Sequence, residues 1–398
     1  MNKPICWTDE QSYLFANPCY SEQERRQFTC ILEQAISWPG HIWLSTSGTL
    51  NQKWVGLSKK ALLASATAVN QHIKSSPEDR WIHTLPDFHV GGISIWARSF
   101  LSGAKVFDFK TISQKWDPKA FHSYISFHEG TLVSLVPAQV YDLVVEKLRA
   151  PQSLRAVIVG GGALHEPLYK EGIALGWPLL PSYGMTECGS QVATAPLLSW
   201  KESKLPPLEL LSHLQAKCIN GKFFLFGPSL LSCYGYQEAG KICYRDPKVS
   251  GWFETDDSGI ITNRTLSFLG RGDRIIKIGG EKVDMFLLES HFQTVLIELR
   301  FEEDAILFSS SDDRLGHCIS LVTNAKDDQK IDFLIKKFNQ MVLPFERIKK
   351  IGYVNSIPRT PLGKIIYSEL NKLSFYGLRE GEKSREGIKK YNRGRGPF

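Results

Sequence analysis

The 398-residue sequence has no run of about 18 apolar residues, the length a helix needs to cross a bilayer, so no stretch reads as a membrane span. Its opening, MNKPICWTDEQSYLF, lacks the uninterrupted apolar core of a signal peptide. The eight cysteines, Cys6, Cys19, Cys30, Cys188, Cys218, Cys233, Cys243 and Cys318, fall at irregular spacings with no CxxC pair. That argues against a disulfide framework or a zinc site and for reduced thiols in a soluble, cytoplasmic protein. Also missing are the GxxxxGK(S/T) and GxGxxG phosphate loops and the GxSxG elbow of serine hydrolases. There is no internal repeat, and no compositional bias sets the class: 42% of residues are hydrophobic, 22% charged, and the net charge is +7. Part of that charge lies in residues 377–398, where seven Lys/Arg against three Glu and no apolar periodicity predict a basic, disordered tail. So mild a charge calls for no nucleic-acid partner, and nothing here speaks to oligomeric state.

What the sequence does have is alternation. Between residues 41 and 185 the apolar runs HIWLS, WIHTLP, AKVFDF, TLVSLVP, AVIVG and PLLPSYG are separated by helical patterns, which predicts layered α/β architecture. After HIWLS the expected order is strand, polar turn, helix. Ser58 caps the helix, and Leu62, Leu63, Ala66, Val69 and Ile73 line one face. From about 215 to 270 alternating, turn-rich segments predict a small antiparallel β subdomain within a large N-terminal domain spanning 1–270. A boundary near Asp273 then opens a small α+β domain over 274–376.

Five stretches offer chemistry, and each has a plain structural explanation beside the functional one. In STSGTLNQKWVGLS, Thr46, Ser47, Gly48 and Thr49 can turn hydroxyls and backbone N–H groups onto phosphate oxygens, and Lys53 can add charge. Gly160, Gly161 and Gly162 end the AVIV strand, where a flat ligand can lie against the main chain or a helix can pack tightly. In SYGMTECGSQ, Tyr183 offers an aromatic face, Thr186 a hydroxyl and Glu187 a carboxylate suited to Mg²⁺. Asp257 of GWFETDD can accept hydrogen bonds from a ribose diol. In GRGDRIIKIGGEK, Arg271 can reach an anion, and Gly279 and Gly280 leave a slot. Near the end, PRTPLGK sets Lys364 on a turn stiffened by Pro358 and Pro361, a mount that aims a side chain.

Taken in order, TSGT, GGGAL, YGMTE, GWFETDD, GRGDRIIKIGGE and PRTPLGK resemble the adenylate-forming superfamily, which includes acyl-CoA synthetases and adenylation domains. The resemblance covers nearly all of the chain beyond the first ~40 residues and the tail. It implies ATP-dependent activation of a carboxylic acid to an acyl-adenylate, followed by transfer to CoA, with Mg²⁺ as metal. By it Tyr183, the adjoining Gly184 and Met185, and Gly160 to Gly162 hold adenine; Asp257 and Arg271 hold ribose; Thr186 holds phosphate; and Glu187 holds Mg²⁺. Asp273 is the hinge of a mobile C-terminal lid, Lys364 bridges the carboxylate and the α-phosphate, and Gly279 and Gly280 line the pantetheine passage. DFHVGGISIWARSF and the residues after YGMTE resemble most the ligases of menaquinone biosynthesis. That implies 2-succinylbenzoate as the acid, with His89, Gly91, Gly92, Ser190 and Gln191 at its end of the site. Alternatives left open are another acyl- or aryl-CoA synthetase, an enzyme that loads a carrier protein, and an adenylate-binding protein without catalysis. Two departures from the family pattern stand out. TSGTLNQK is one residue shorter than TSGTTGxPK and lacks its second glycine and its proline, and Asp256 replaces the glycine before the ribose aspartate.

Overall fold

Four short runs of Val, Ile and Leu, buried on both faces, make the centre of a parallel sheet. In the computed structural model these are Arg80–His83, Leu132–Leu135, Ala156–Val159 and the first half of Leu179–Met185, with Lys105–Asp108 parallel at the edge. The described residues are 5–17, 22, 26, 38–45, 53–113, 115–202, 204–238, 241–271, 275–360 and 365–378. They divide into two units, one built on residues 1–272 and one on residues 273–359 and 365–398.

In the first unit Leu179–Met185 is where the sheet changes character. Its first residues run parallel to Ala156–Val159, and Ser182 to Met185 pair antiparallel with Ser190–Thr194. The sheet continues antiparallel through Leu208–Leu210, Thr265–Arg271, Phe253–Thr262, Lys222–Phe226 and Gln215–Ile219, eleven strands among the described residues. Helices Lys59–Ile73 and Val90–Ser102 pack together. Ser58 caps the first as expected, its side chain accepting the Ala61 N–H at 3.0 Å. Val69, Trp81, Ile95, Leu132, Ala156 and Leu180 share one core cluster.

Two expectations are corrected. The polar loop after HIWLS does not lead into a helix: His41–Ser45 and Trp54–Ser58 pair antiparallel on either side of it. Gly56 is mid-strand because the Trp43 indole lies over it; a Cβ there would come within 2.8 Å of that ring. The segment 215–270 is antiparallel but does not close on itself. Gln215–Ile219, Lys222–Phe226, Phe253–Thr262 and Thr265–Arg271 extend the central sheet. Cys233–Glu238 and Lys241–Arg245 join His41–Ser45 and Trp54–Ser58 in a five-stranded sheet. Period-2 alternation reports which residues face inward, not which strand lies alongside.

The second unit begins with a hairpin, Ile275–Ile278 and Glu281–Asp284. Its two-residue turn is Gly279–Gly280, both at positive φ (58° and 93°), as a type I′ turn requires. That geometry alone accounts for the glycine pair. Helices Met285–Leu299 and Asp328–Met341, capped by Asp284 and Asp327, share a core with Ala305–Asp312, Gly316–Thr323 and Ile348–Tyr353. The result is a mixed α/β chain with several sheets. The tail lies outside the described residues from 379 onward.

Candidate active site

The first unit gathers polar groups around Leu179–Met185, where the central sheet switches from parallel to antiparallel. Tyr183 is buried there, its ring stacked 5.5 Å from Phe268, and its hydroxyl donates to Asp257 Oδ2 at 2.8 Å. Burial, and then the Asp257 carboxylate, push the phenol far above its usual range, so Tyr183 stays protonated and keeps donating. In the sheet register Asp257 lies directly opposite Arg271, so the two residues expected at a ribose are cross-strand neighbours.

A bulge between Tyr183 and Gly184 brings the chain so close to its partner strand that a Cβ on Gly184 would lie 2.1 Å from the Ser190 carbonyl oxygen. Gly184 is therefore required by backbone approach, independent of any ligand. Gly184→Ala is expected to cost at least about 2 kcal/mol of stability, because the obstacle is backbone rather than a movable side chain. Thermal unfolding of the purified chain checks this, and an unchanged midpoint would contradict the close approach.

The turn Thr186–Cys188 follows. Glu187 Oε1 accepts from the Tyr234 hydroxyl at 3.1 Å, and the Lys53 ammonium lies 5.5 Å from the Tyr234 ring. Burial and the neighbouring Glu187 raise the Tyr234 phenol, fixing it too as a donor. Among the described residues no group of three or more His, Cys, Asp or Glu could hold a metal ion by itself. A single carboxylate with one oxygen tied to a phenol nonetheless suits Mg²⁺, which takes one or two carboxylates and completes its octahedron with substrate phosphates and water.

Gly189 is left-handed (φ 64°) and Ser190 has φ 111°, a strained value for a residue with a side chain. The distortion turns Ser190 toward the helix Val90–Ser102. Its Oγ lies 3.4 Å from Ser94 Oγ and accepts from Arg98 Nη2 at 3.3 Å, while Ser94 also donates to the Gly91 carbonyl at 3.1 Å. Gln191 is buried beside it; its Nε2 donates to Thr194 Oγ1 at 2.5 Å, and its Oε1 has no partner among the described residues. Gly92 is fixed by close approach as well, since a Cβ would lie 2.1 Å from the Pro86 carbonyl oxygen. His89 occupies the N-cap position of the helix without capping it through its side chain.

Arg98 is the residue that motif reading missed. It is 1% exposed, its Nε and Nη1 have no hydrogen-bond partner among the described residues, and its guanidinium lies 5.6 Å from the Trp81 ring. Burial alone lowers its pKa from 12.5 to about 9. The signal in the sequence is an arginine in VGGISIWARSFLS at i+4 from Ser94, the one charged residue of that helix.

The structure thus brings together Tyr183 with Asp257, Glu187 with Tyr234 and Lys53, and Ser190 with Ser94, Gly91 and Arg98. Gly160, at the end of its strand, is near the Ser182 carbonyl, a Cβ there falling 3.7 Å from it, and Gly161 has φ 81°. Gly279 and Gly280 belong to the other unit. Thr46, Ser47, Gly48, Thr49, Asp273 and Lys364 lie outside the described residues.

This arrangement is that of a nucleotide-binding α/β enzyme, and the family profile "AMP-binding enzyme" matches residues 42–250. The chain belongs to that family, the adenylate-forming enzymes that include the AMP-forming acid–CoA ligases. It is 28% identical over 346 residues to 2-succinylbenzoate–CoA ligase of Staphylococcus epidermidis, covering 85% of this chain and 70% of that protein. With the Bacillus cytotoxicus ligase of the same name it shares 27% identity over 347 residues, 82% of this chain and 69% of the relative. Among solved structures it resembles o-succinylbenzoate CoA synthetase (MenE) from Bacillus subtilis, in complex with the acyl-adenylate intermediate OSB-AMP. That match has a TM-score of 0.68 and 22% identity and covers 93% of this chain and 79% of the other; the likeness is one of fold. Among the described residues no helix is long and apolar enough to cross a membrane.

Proposed function

We propose that this chain is an acid–CoA ligase whose acid is an aromatic dicarboxylate, 2-succinylbenzoate, and that it serves menaquinone biosynthesis. The observation that carries the acid's identity is Arg98. A buried guanidinium with unsatisfied N–H groups and no ion pair among the described residues is costly unless an anion arrives to meet it. An acid with two carboxylates presents one for activation and leaves the other to Arg98 and Ser190. The name carried by the curated relatives supports the same acid.

In this reading the adenine lies against Tyr183, Gly184 and the Gly160–Gly162 strand end, with Met185 alongside, and the ribose diol meets Asp257 and Arg271. The TSGT segment, Lys53 and Thr186 receive phosphates. Mg²⁺, held by Glu187 and the phosphates, offsets negative charge on the triphosphate when bound. His89, Gly91, Gly92 and Gln191 line the acid with Ser190. The substrate carboxylate attacks the α-phosphorus and pyrophosphate leaves. Lys364 neutralises the charge that develops on the transferring group. A turn of the lid about Asp273 then withdraws Lys364 and brings the Gly279–Gly280 hairpin in, so the CoA thiol meets the acyl-adenylate and AMP leaves.

Acid-dependent pyrophosphate release, measured with 2-succinylbenzoate, monocarboxylic aryl acids and fatty acids with and without CoA, tests the reading. Release and thioester formation are expected with the dicarboxylate and to fall steeply with the monocarboxylic acids. Preference for a fatty acid would overturn the choice of acid. Release without thioester would point to a carrier protein as acceptor, and no release with any acid to an adenylate-binding protein without catalysis.

A further inference from the structure

We infer that Lys110, Asp87 and His83 form a latch that sets the acid specificity of this enzyme by holding the loop 84–89 and the first turn of the following helix in shape; the inference rests on the reading above, in which His89, Ser190 and Arg98 face the acid. The latch touches no substrate in that reading. Its members are positioning residues.

The chemistry starts at the carboxyl ends of two neighbouring parallel strands, Arg80–His83 and Lys105–Asp108. Lys110, just past the second, spends its ammonium donors on three targets: the Leu85 carbonyl at 3.0 Å, Asp87 Oδ2 at 3.1 Å and His83 Nδ1 at 2.9 Å. An ammonium only donates, so Nδ1 accepts and the proton of the neutral His83 ring sits on Nε2. That Nε2–H points between the Gly92 carbonyl at 3.1 Å and Asp87 Oδ1 at 3.3 Å. Asp87 Oδ1 also accepts the Trp96 indole N–H at 2.8 Å, and the Trp96 ring lies 5.1 Å from the His83 ring. Asp108, 3.4 Å from Nδ1, accepts instead from the Lys110 backbone N–H at 3.1 Å.

The loop is therefore pinned at its start through Leu85, in its middle through Asp87, and at its junction with the helix through Gly92. Trp96 ties the helix to the same carboxylate. This matters because Ser94, whose hydroxyl also reaches the Gly91 carbonyl, contacts Ser190, and Arg98, which donates to Ser190, lies one turn beyond Ser94 on the same helix. The helix has no side-chain cap at its start, so the latch supplies the fixation that a cap would otherwise give. A polar network with every member satisfied holds one geometry where apolar filling would tolerate several. A site that must align a guanidinium with a carboxylate loses much of its affinity through a displacement of about 1 Å.

Steady-state kinetics on the full chain, with KM determined separately for 2-succinylbenzoate, ATP and CoA, test the latch in Lys110→Met, Lys110→Arg, Asp87→Asn and Arg98→Met. Lys110→Met is expected to raise the acid KM about tenfold or more with the ATP KM within twofold, Lys110→Arg to recover part of the loss, and Asp87→Asn to raise it severalfold. The Lys110→Met and Asp87→Asn effects are expected to be non-additive in the double variant, because the two side chains share one contact. Should Lys110→Met fail to fold, Asp87→Asn carries the test alone. An acid KM raised in Arg98→Met but unchanged in Lys110→Met, or in Asp87→Asn where that variant stands alone, overturns the latch and leaves the acid site standing. Equal rises in the acid and ATP KM also overturn it, since they mark general destabilisation. An acid KM unchanged in Arg98→Met overturns the acid-site reading itself.

Discussion

Lys364→Ala is expected to lower acid-dependent pyrophosphate release about 10²–10³-fold while leaving thioester formation from a supplied acyl-adenylate nearly intact. The first half-reaction brings a carboxylate up to a polyanion, so a cation placed where charge develops acts on the barrier itself. The second half-reaction joins a thiol to a mixed anhydride and has no such need. The segment holding Lys364 springs from a firm base. Ile366 N–H donates to the Pro358 carbonyl at 2.9 Å, and Arg359 and Ile365 form a bridge. The Arg359 guanidinium forks onto Asp304, with Nε at 3.2 Å and Nη2 at 2.6 Å. The two half-reactions are separated by assaying pyrophosphate release without CoA, and thioester formation from synthetic acyl-adenylate. Equal loss in both would sink the two-pose mechanism, and no loss in either would remove Lys364 from the chemistry.

The grouping of Tyr183, Thr186 and Glu187 was legible because it is local: YGMTE places an aromatic ring, a hydroxyl and a carboxylate within five residues. Ser58 was legible as a cap for the same reason, its partner being Ala61. What stayed hidden depends on residues far apart in sequence. That Asp257 accepts from Tyr183 could not be read from either motif, and Gly184 was readable as a ligand contact but not as the point where the chain crowds Ser190. Gly56 gave no signal of its own, because its reason for being glycine is Trp43, on the neighbouring strand. The segment 215–270 was read as antiparallel but assigned to one subdomain, because Cys233–Glu238 takes Trp54–Ser58 as neighbour, a choice no alternation pattern encodes. Arg98 was passed over because an arginine in a helix reads as solvated. Only its burial beside Ser190 and Trp81 exposes the counter-ion missing among the described residues.

That missing counter-ion leads to opposite expectations for stability and function at one position. Arg98→Met keeps most of the side-chain volume and removes a charge that the folded chain desolvates without compensation, so the ligand-free protein is expected to gain about 1–3 kcal/mol of stability. On the proposed reading, the same change removes the partner for the second carboxylate of the acid. Truncating one half of a buried, hydrogen-bonded charge pair costs about 2–5 kcal/mol of binding, so the acid KM is expected to rise by roughly 30- to 5,000-fold, with the KM for ATP little altered. Thermal unfolding without ligands and acid-saturation curves measure both halves. If the substitution destabilised the free protein and left the acid KM alone, Arg98 would be a structural residue whose partners hold it in the fold. A more stable protein that has lost its grip on the dicarboxylate identifies a charge kept buried for the substrate, at the expense of the empty enzyme's own stability.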